Sequence, residues 1–238
     1  MKPKISVLVA ARRDSKYLAK FLHGYFDRTD DTDNTEILVM MNQHDTWNEE
    51  LVRQYDGRVR FFKEDLRLGR SGLHVYFNEL LKHATGEWIV YFCEDHFIIY
   101  DGWDNRLRSE IIKRGLKANE VNVIVPVFDN AGAMNHIVSR GWVDTIGDLG
   151  KHGWIDSYIN GVLLRTFMER PSDHLIKNID DPLFHDFTHD QPNPMDAGAN
   201  QSPVGEDGKK LPKFDTDEVQ ELVERDAIKI KQALEAGR

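Results

Sequence analysis

With 238 residues, 40% hydrophobic content, twelve Phe and five Trp, the chain is long enough for one sizeable core, and no shift in composition before about residue 190 divides it. A formal net charge of −9 argues against a dedicated nucleic-acid binder, which needs a basic face, and leaves only a local basic groove open to such a partner. The single cysteine, Cys93, excludes an intrachain disulfide and fits a reducing, cytoplasmic setting; no apolar run reaches the ~18 residues of a membrane span, and the opening Met1-Lys2-Pro3-Lys4 carries no signal-peptide pattern.

In chain order, the apolar run Ile5 to Ala11 predicts a buried strand, and Tyr17, Leu18, Phe21, Leu22 and Tyr25 recur at helical spacing over 15–26. Residues 36–41 read as a second strand, 47–55 as a short helix and 58–63 as a third strand. After the turn-like Gly69-Arg70-Ser71-Gly72, residues 73–83 predict a helix with Leu73, Tyr76, Phe77, Leu80 and Leu81 on one face. The aromatic and β-branched run Trp88 to Phe92 is the next strand. Alternating strands and helices with near-continuous apolar strands predict an α/β fold with a mostly parallel central sheet covered on both faces.

Further along, residues 107–116 read as a helix and 121–128 as a strand, which Pro126 marks as an edge strand or one ending in a bulge. The Gly, Asn and Asp content of 129–153 predicts long loops over a site rather than core. Helical spacing returns over 158–168, and 190–212 has the Pro and Gly density of a linker or lid. Asp215 and Glu218 form a capping-box pattern opening a terminal helix, with Val219, Leu222, Val223, Ile230, Ala233 and Leu234 on one face and a stop near Gly237. The expected organisation is one domain over 1–190, divided near 107, a linker or lid over 191–214 and a C-terminal helix over 215–238.

Chemistry concentrates at the end of the Trp88 to Phe92 strand, because ligands of open α/β sheets bind beyond the carboxyl ends of the strands. There Glu94 and His96 lie two residues apart, so an extended backbone projects both to one side, where they could hold a divalent cation, with Asp95 between them. An oxygen-rich site with one imidazole suits Mn²⁺ or Mg²⁺. Cys93, inside the apolar strand, reads as a small buried hydrophobe rather than a nucleophile.

Three pieces together resemble family 2 glycosyltransferases of the GT-A (Rossmann-like) fold over residues 5 to about 107. The opening ISVLVAARRDSKYLAKFL resembles that family's first strand and helix. Gly72 followed by Asn78, then Ala84-Thr85-Gly86-Glu87, resembles its Gly-x-x-x-x-x-Asn and Ala-Thr-Gly-Glu. Glu94-Asp95-His96 falls where the family places Asp-x-Asp, with Gly102-Trp103 downstream. His96 departs from that motif and looks like the Asp-x-His variant of some other GT-A enzymes. Met41-Asn42-Gln43-His44-Asp45 departs from the family's Asp-Asp-Gly-Ser, which puts recognition of uracil in doubt.

The resemblance implies metal-dependent, inverting, hexosyl-type transfer from a nucleotide-diphosphate sugar, a UDP-sugar first among them, to an acceptor hydroxyl. It implies donor contacts from Ala10, Arg12, Asn42, Arg70 and Asp95, with Arg13 and Arg67 as neighbours of the same kind. It further implies metal ligands Glu94, His96 and, near the end of the domain, His185 in preference to His189. The general base it implies is Asp156, with Asp144 and Asp148 as weaker choices; Asp156 could equally cap the helix that follows. Trp103, Trp142 and Trp154 are open to two readings, sugar-stacking platforms or core. Three other functions compete: a non-catalytic nucleotide-sugar-binding module, a phosphohydrolase built on His185-Asp186 and His189-Asp190, and a nucleotidyltransferase. The phosphohydrolase conflicts with the strand-rich pattern, and the nucleotidyltransferase with the absence of glycines in Ala10-Ala11-Arg12-Arg13. No residue in the sequence names the acceptor.

Overall fold

Strand β1 (Ile5–Ala11) pairs in parallel with β2 (Thr35–Asn42) on one side and β4 (Trp88–Cys93) on the other, while β3 (Arg60–Glu64) extends the sheet beyond β2. The computed structural model describes residues 2–11, 15–42, 49–64, 72–93, 96–128, 132–133, 136–153, 155–167, 176–186 and 216–237. Past β4 the order continues through β8 (Ile137–Ser139), β6 (Val123–Phe128), β9 (Ile176–Asp186) and β5 (His96–Ile98), with β7 (Gly132–Ala133) paired to β6. β8 runs antiparallel to β4 and β6, so β6 points the same way as β4. β9 is parallel to β6, and β5 is antiparallel to β9. The carboxyl ends of β1, β2, β4, β6 and β9 therefore share one edge of the sheet, as the mostly parallel α/β expectation requires.

Alternation along each strand feeds two apolar layers. Val7 and Val9 of β1 join Val90 and Phe92 of β4 under α1 (Ser15–Arg28), α2 (Glu49–Gln54) and α4 (Trp103–Lys113). On the opposite face, Leu8, Ala10, Ile89 and Tyr91 meet α3 (Leu73–Leu81), α5 (Arg140–Ile146), α6 (Ile155–Phe167) and α7 (Asp217–Glu235). Among the described residues no helix is long and apolar enough to cross a membrane.

The Ala84-Thr85-Gly86-Glu87 piece is the staple between β1 and β4. Gly86 N–H donates to Ser6 Oγ at 2.7 Å, Thr85 N–H donates to Glu36 Oε1 at 2.6 Å, and Ser6 Oγ–H donates to the same carboxylate at 2.5 Å. A Cβ on Gly86 would lie 2.5 Å from Ser6 N, so only glycine allows this approach. Burial raises the pKa of Glu36, but its hydrogen bonds from Ser6 and Thr85 outweigh that and hold the carboxyl below its ordinary range.

Gly102-Trp103 is a second structural device. Gly102 has φ +70°, its N–H donates to Arg28 O at 2.9 Å, and Trp103 Nε1–H donates to Thr29 Oγ1 at 2.9 Å. One turn on, the buried Asp104–Arg108 pair at 2.5 Å is saturated: Asp104 accepts from the Asp30 and Asp31 amides, and Arg108 donates to Pro3 O, Asn34 O and Thr35 Oγ1. A buried ion pair is tolerable only when its remaining hydrogen-bonding capacity is met in this way.

Several sequence expectations are corrected. Within 129–153, where the composition predicts loops over a site, residues 137–146 form β8 and α5 and carry Ile137, Val138, Trp142, Val143 and Ile146 into the core, and Leu149 after them is buried as well. The run of three residues in β8 is too short to show periodicity, and α5 starts because Ser139 Oγ accepts the Trp142 N–H. Trp103 and Trp142 are fully buried, so neither is a sugar platform; Trp154 lies outside the described residues. β6 is interior, between β8 and β9, and of the two meanings read from Pro126 the bulge is right, with a register shift between Pro126 and Phe128. Thr216 rather than Asp215 precedes the terminal helix, and its side chain makes no capping hydrogen bond. The linker or lid over 191–214 lies outside the described residues.

Gly86→Ala is expected to lower unfolding free energy by about 2–3 kcal/mol, because the new methyl meets backbone that is itself in the sheet. Denaturant titration checks this; a loss under about 0.5 kcal/mol would mean that β1 and β4 can separate without penalty.

Candidate active site

Of the residues implied as donor contacts, the edge where β1, β2 and β4 end carries Ala10 and Asn42. Ala10 pairs with Met40 and Cys93, and its buried methyl belongs to the apolar layer, so only its backbone is left to meet a ligand. Asn42 is the last residue of β2, at the same edge. Arg12, Arg13, Arg67, Arg70, Glu94, Asp95 and His189, and the side chains of Asn42 and His185, lie outside what the structure describes.

His96 opens β5 at this edge and is 6% exposed. Its Nδ1 lies 3.2 Å from both Cys93 N and Cys93 O. One contact makes Nδ1 an acceptor and the other a donor, and only the donor tautomer leaves Nε2 a lone pair for a cation. An imidazole fixed by a backbone carbonyl is the usual support of a metal-bound histidine, so the residue fits a hard divalent ion. Among the described residues no group of three His, Cys, Asp or Glu forms a metal cluster. Cross-strand register pairs His96 with Asp186, whereas His185 pairs with Phe97. Residues directly opposite in an antiparallel pair share a face, so the β5–β9 ladder puts position 186, not 185, on the face of His96.

The second half of the site is built on α6. The helix begins at Ile155, a turn earlier than the spacing predicts, so Asp156 sits inside its first turn and is not the N-cap. Half-buried, it faces a cluster that sequence reasoning missed. Tyr91 of β4 is buried, and its hydroxyl accepts the His136 N–H at 3.3 Å. His136 is 1% exposed, and its Nε2 lies 2.9 Å from Asn160 Oδ1, one helical turn beyond Asp156. Burial, with the Asp156 charge second, pushes the Tyr91 hydroxyl pKa far up. Burial also lowers the His136 pKa, against the opposing Asn160 hydrogen bond and Asp156 charge. The i, i+4 relation of Asp156 and Asn160 was the available sequence signal, but it has meaning only once the helix is known to start at 155.

The other base candidates are placed differently. Asp144 is exposed on α5. Asp148 pairs with Lys151 at 3.1 Å, and burial raises its pKa despite that partner. Lys151 also binds Asp226 of α7, which accepts Tyr158 Oη–H at 2.7 Å and pairs with Lys229 at 3.0 Å. Asn78, of the Gly-x-x-x-x-x-Asn piece, reaches the same loop: its amide donates to Gly150 O at 2.8 Å and its carbonyl accepts the Leu149 N–H at 2.9 Å.

No family model and no curated protein matches the chain. Solved structures do. A crystal structure of S. aureus TarS matches 76% of this chain at 13% identity with a TM-score of 0.61, and the chain spans 36% of that protein's length. The TarS 1–349 segment in complex with UDP-GlcNAc matches with a TM-score of 0.61, 58% of that segment being covered. The mannosyltransferase PcManGT from Pyrobaculum calidifontis, in complex with GDP-Man and Mn²⁺, matches over 100% of this chain and 75% of its own, at 15% identity and a TM-score of 0.64. At such identities the likeness shows the fold, which is the GT-A fold.

His136 gives the site a pH signature. A histidine pKa depressed by folding means that the unfolded chain takes up the proton first. Its stabilisation is therefore complete above the unfolded value of about 6.5 and is lost as pH falls below it. The denaturation midpoint is expected to fall between about pH 7 and pH 5, and His136→Gln to flatten that slope. An unchanged slope in the variant would assign it to other groups.

Proposed function

We propose that this chain is a family 2-like, metal-dependent glycosyltransferase, moving a hexose from a nucleotide-diphosphate sugar to an acceptor hydroxyl with inversion. The observation that carries the reading is the alignment of the whole chain with a mannosyltransferase bound to GDP-Man and Mn²⁺, combined with a carboxylate, Asp156, on the acceptor half. TarS structures with UDP and UDP-GlcNAc support the same donor class and keep a UDP-sugar beside a GDP-sugar as the candidate donor. The net charge of −9 favours a neutral or small acceptor over a polyanionic one.

In this reading Asp156 accepts the proton of the acceptor hydroxyl as that oxygen bonds to the anomeric carbon. The carbon's bond to the diphosphate breaks on the opposite side, and the nucleoside diphosphate leaves with the electron pair. Mn²⁺ or Mg²⁺, held by His96 with Glu94 and a residue of β9, would neutralise charge developing on the leaving diphosphate. Of the β9 positions, Asp186 is favoured over His185 by the register with His96. Ala10, Arg12, Asn42, Arg70 and Asp95 are proposed to hold the donor's nucleotide and phosphates. A non-catalytic binding module is the second reading; it shares the donor site and lacks turnover.

Calorimetric titration of UDP, GDP, CDP and TDP, with Mn²⁺ and with EDTA, tests the donor class. Metal-dependent binding of one nucleotide is expected, and binding of none would overturn the proposal. His96→Ala is expected to abolish the Mn²⁺-dependent part while circular dichroism stays unchanged; retained Mn²⁺ dependence would remove His96 from the ligand set. Asp156→Asn is expected to lower turnover by about 10²–10⁴-fold while nucleotide affinity changes by less than about twofold. Equal turnover in that variant would remove Asp156 as the base, and wild-type binding without turnover would favour the binding module.

A further inference from the structure

We infer that Asn78 and Asp226 are positioning residues for the base, clamping from two sides the loop that presents Asp156. The inference rests on the transferase reading above and on contacts that reading does not use.

The loop over 147–153 leaves α5 through Gly147, in the left-handed region at φ 88°, and leads to the first turn of α6. Three residues upstream of Asp156 there is only Gly153, which has no side chain to brace the chain. The restraint comes from elsewhere. Asn78 of α3 uses both ends of its amide on consecutive residues, accepting from Leu149 N–H and donating to Gly150 O. A side-chain amide bound to backbone on both sides fixes position and orientation together, as a strand pair would. Gly150 in turn lies against α6: a Cβ there would be 3.4 Å from Ile155 Cγ2 and 3.5 Å from Tyr158 Cδ1.

Asp226 supplies the second clamp. It is fully buried on α7 and holds Lys151, five residues before the base, and Tyr158, two residues after it. One carboxylate therefore grips the chain on both sides of Asp156. Burial raises its pKa, yet hydrogen bonds from Lys151, Tyr158 and Lys229 dominate and keep it below the ordinary carboxylate range. Lys151 adds a contact to Ile146 O at 3.2 Å, so the loop is also tied to the last turn of α5. Arg165 of α6 carries the docking of α7 further, to Gln220 at 2.6 Å and to Glu224 at 3.3 Å.

The two clamps have different origins. Asn78 belongs to the helix that follows the Gly-rich turn of the donor half, and Asp226 to the terminal helix. A base displaced by about 1 Å loses on the order of 10²-fold in rate, so either contact has leverage on catalysis without touching substrate. Neither clamp includes a residue proposed to hold the donor, so donor binding is expected to stay unchanged.

The test is slow hydrolysis of UDP-GlcNAc and GDP-mannose, in which water replaces the acceptor, together with calorimetric binding of UDP and GDP in Mn²⁺. The proteins compared are the full chain, Asn78→Ala, Asp226→Asn, Lys151→Met and Lys151→Arg. The expected result is a fall in kcat of about 10- to 100-fold in the first three, with donor KM and nucleotide Kd within about twofold of the wild type. Lys151→Arg, which keeps the cation, should recover most of the rate. Wild-type kcat in Asn78→Ala and Lys151→Met, even with a lowered melting temperature, would make the clamps merely structural and overturn the inference. A wild-type chain that neither binds nucleotide nor hydrolyses donor would instead overturn the transferase reading, and the inference with it. Asn78→Ala and Asp226→Asn lie on different helices, so misfolding of one variant leaves the other to decide.

Discussion

The close approach of Gly86 to Ser6 governs the geometry of the whole sheet. It sets Ile5 opposite Trp88, and with that register fixed the carboxyl ends of β1 and β4 finish level, at Ala10 and Cys93. Glu36 adds β2 to the same staple by accepting from Ser6, Thr85 and Gly86 at once. Since a one-residue slip in a strand turns every side chain to the opposite face, the staple also decides which residues enter each apolar layer. The position of His96, three residues after Cys93, follows from it.

Beyond β4 the architecture changes character. The first half repeats strand and helix with strong apolar runs, whereas the second joins elements of very unequal length, from the two-residue β7 to the 19-residue α7, and adds specific polar contacts to the apolar packing. Ser139 caps α5, Asn122 N–H donates to Ser139 Oγ at 2.9 Å, and Asn78 holds the loop before α6. α7 closes the apolar layer with Val219, Val223, Ala227 and Ile230 while delivering Asp226 to a set of cations. The terminal helix is thus part of the same core as the strands, although it is far from them in sequence.

The pieces that resemble glycosyltransferases divide into structural and chemical ones. Thr85-Gly86-Glu87, Gly102-Trp103 and Asn78 work on the protein itself, stapling strands, anchoring α4 and bracing a loop. Glu94-Asp95-His96 and Asp156 are the pieces to which the proposed transfer assigns a ligand. The structural pieces carry much of the resemblance because backbone approach and amide geometry admit few substitutes. Among the chemical pieces, His96 stands where the motif it resembles has an aspartate.

The sequence alone determined the alternation of strand and helix through β4, the edge where His96 lies, and the apolar face of the terminal helix. Each of these rests on local periodicity, which is a property of neighbours in the chain. Only tertiary structure decided that Trp103 and Trp142 are core, that 137–146 forms a strand and a helix, and that Asp156 lies within a helix. It also brought His136, Tyr91 and Asn160 together around Asp156, and set Asn78 and Asp226 on the same loop from residues 72 and 75 positions away. Such contacts leave no periodic trace, because polar partners meet through the path of the backbone in space and not through their spacing along it.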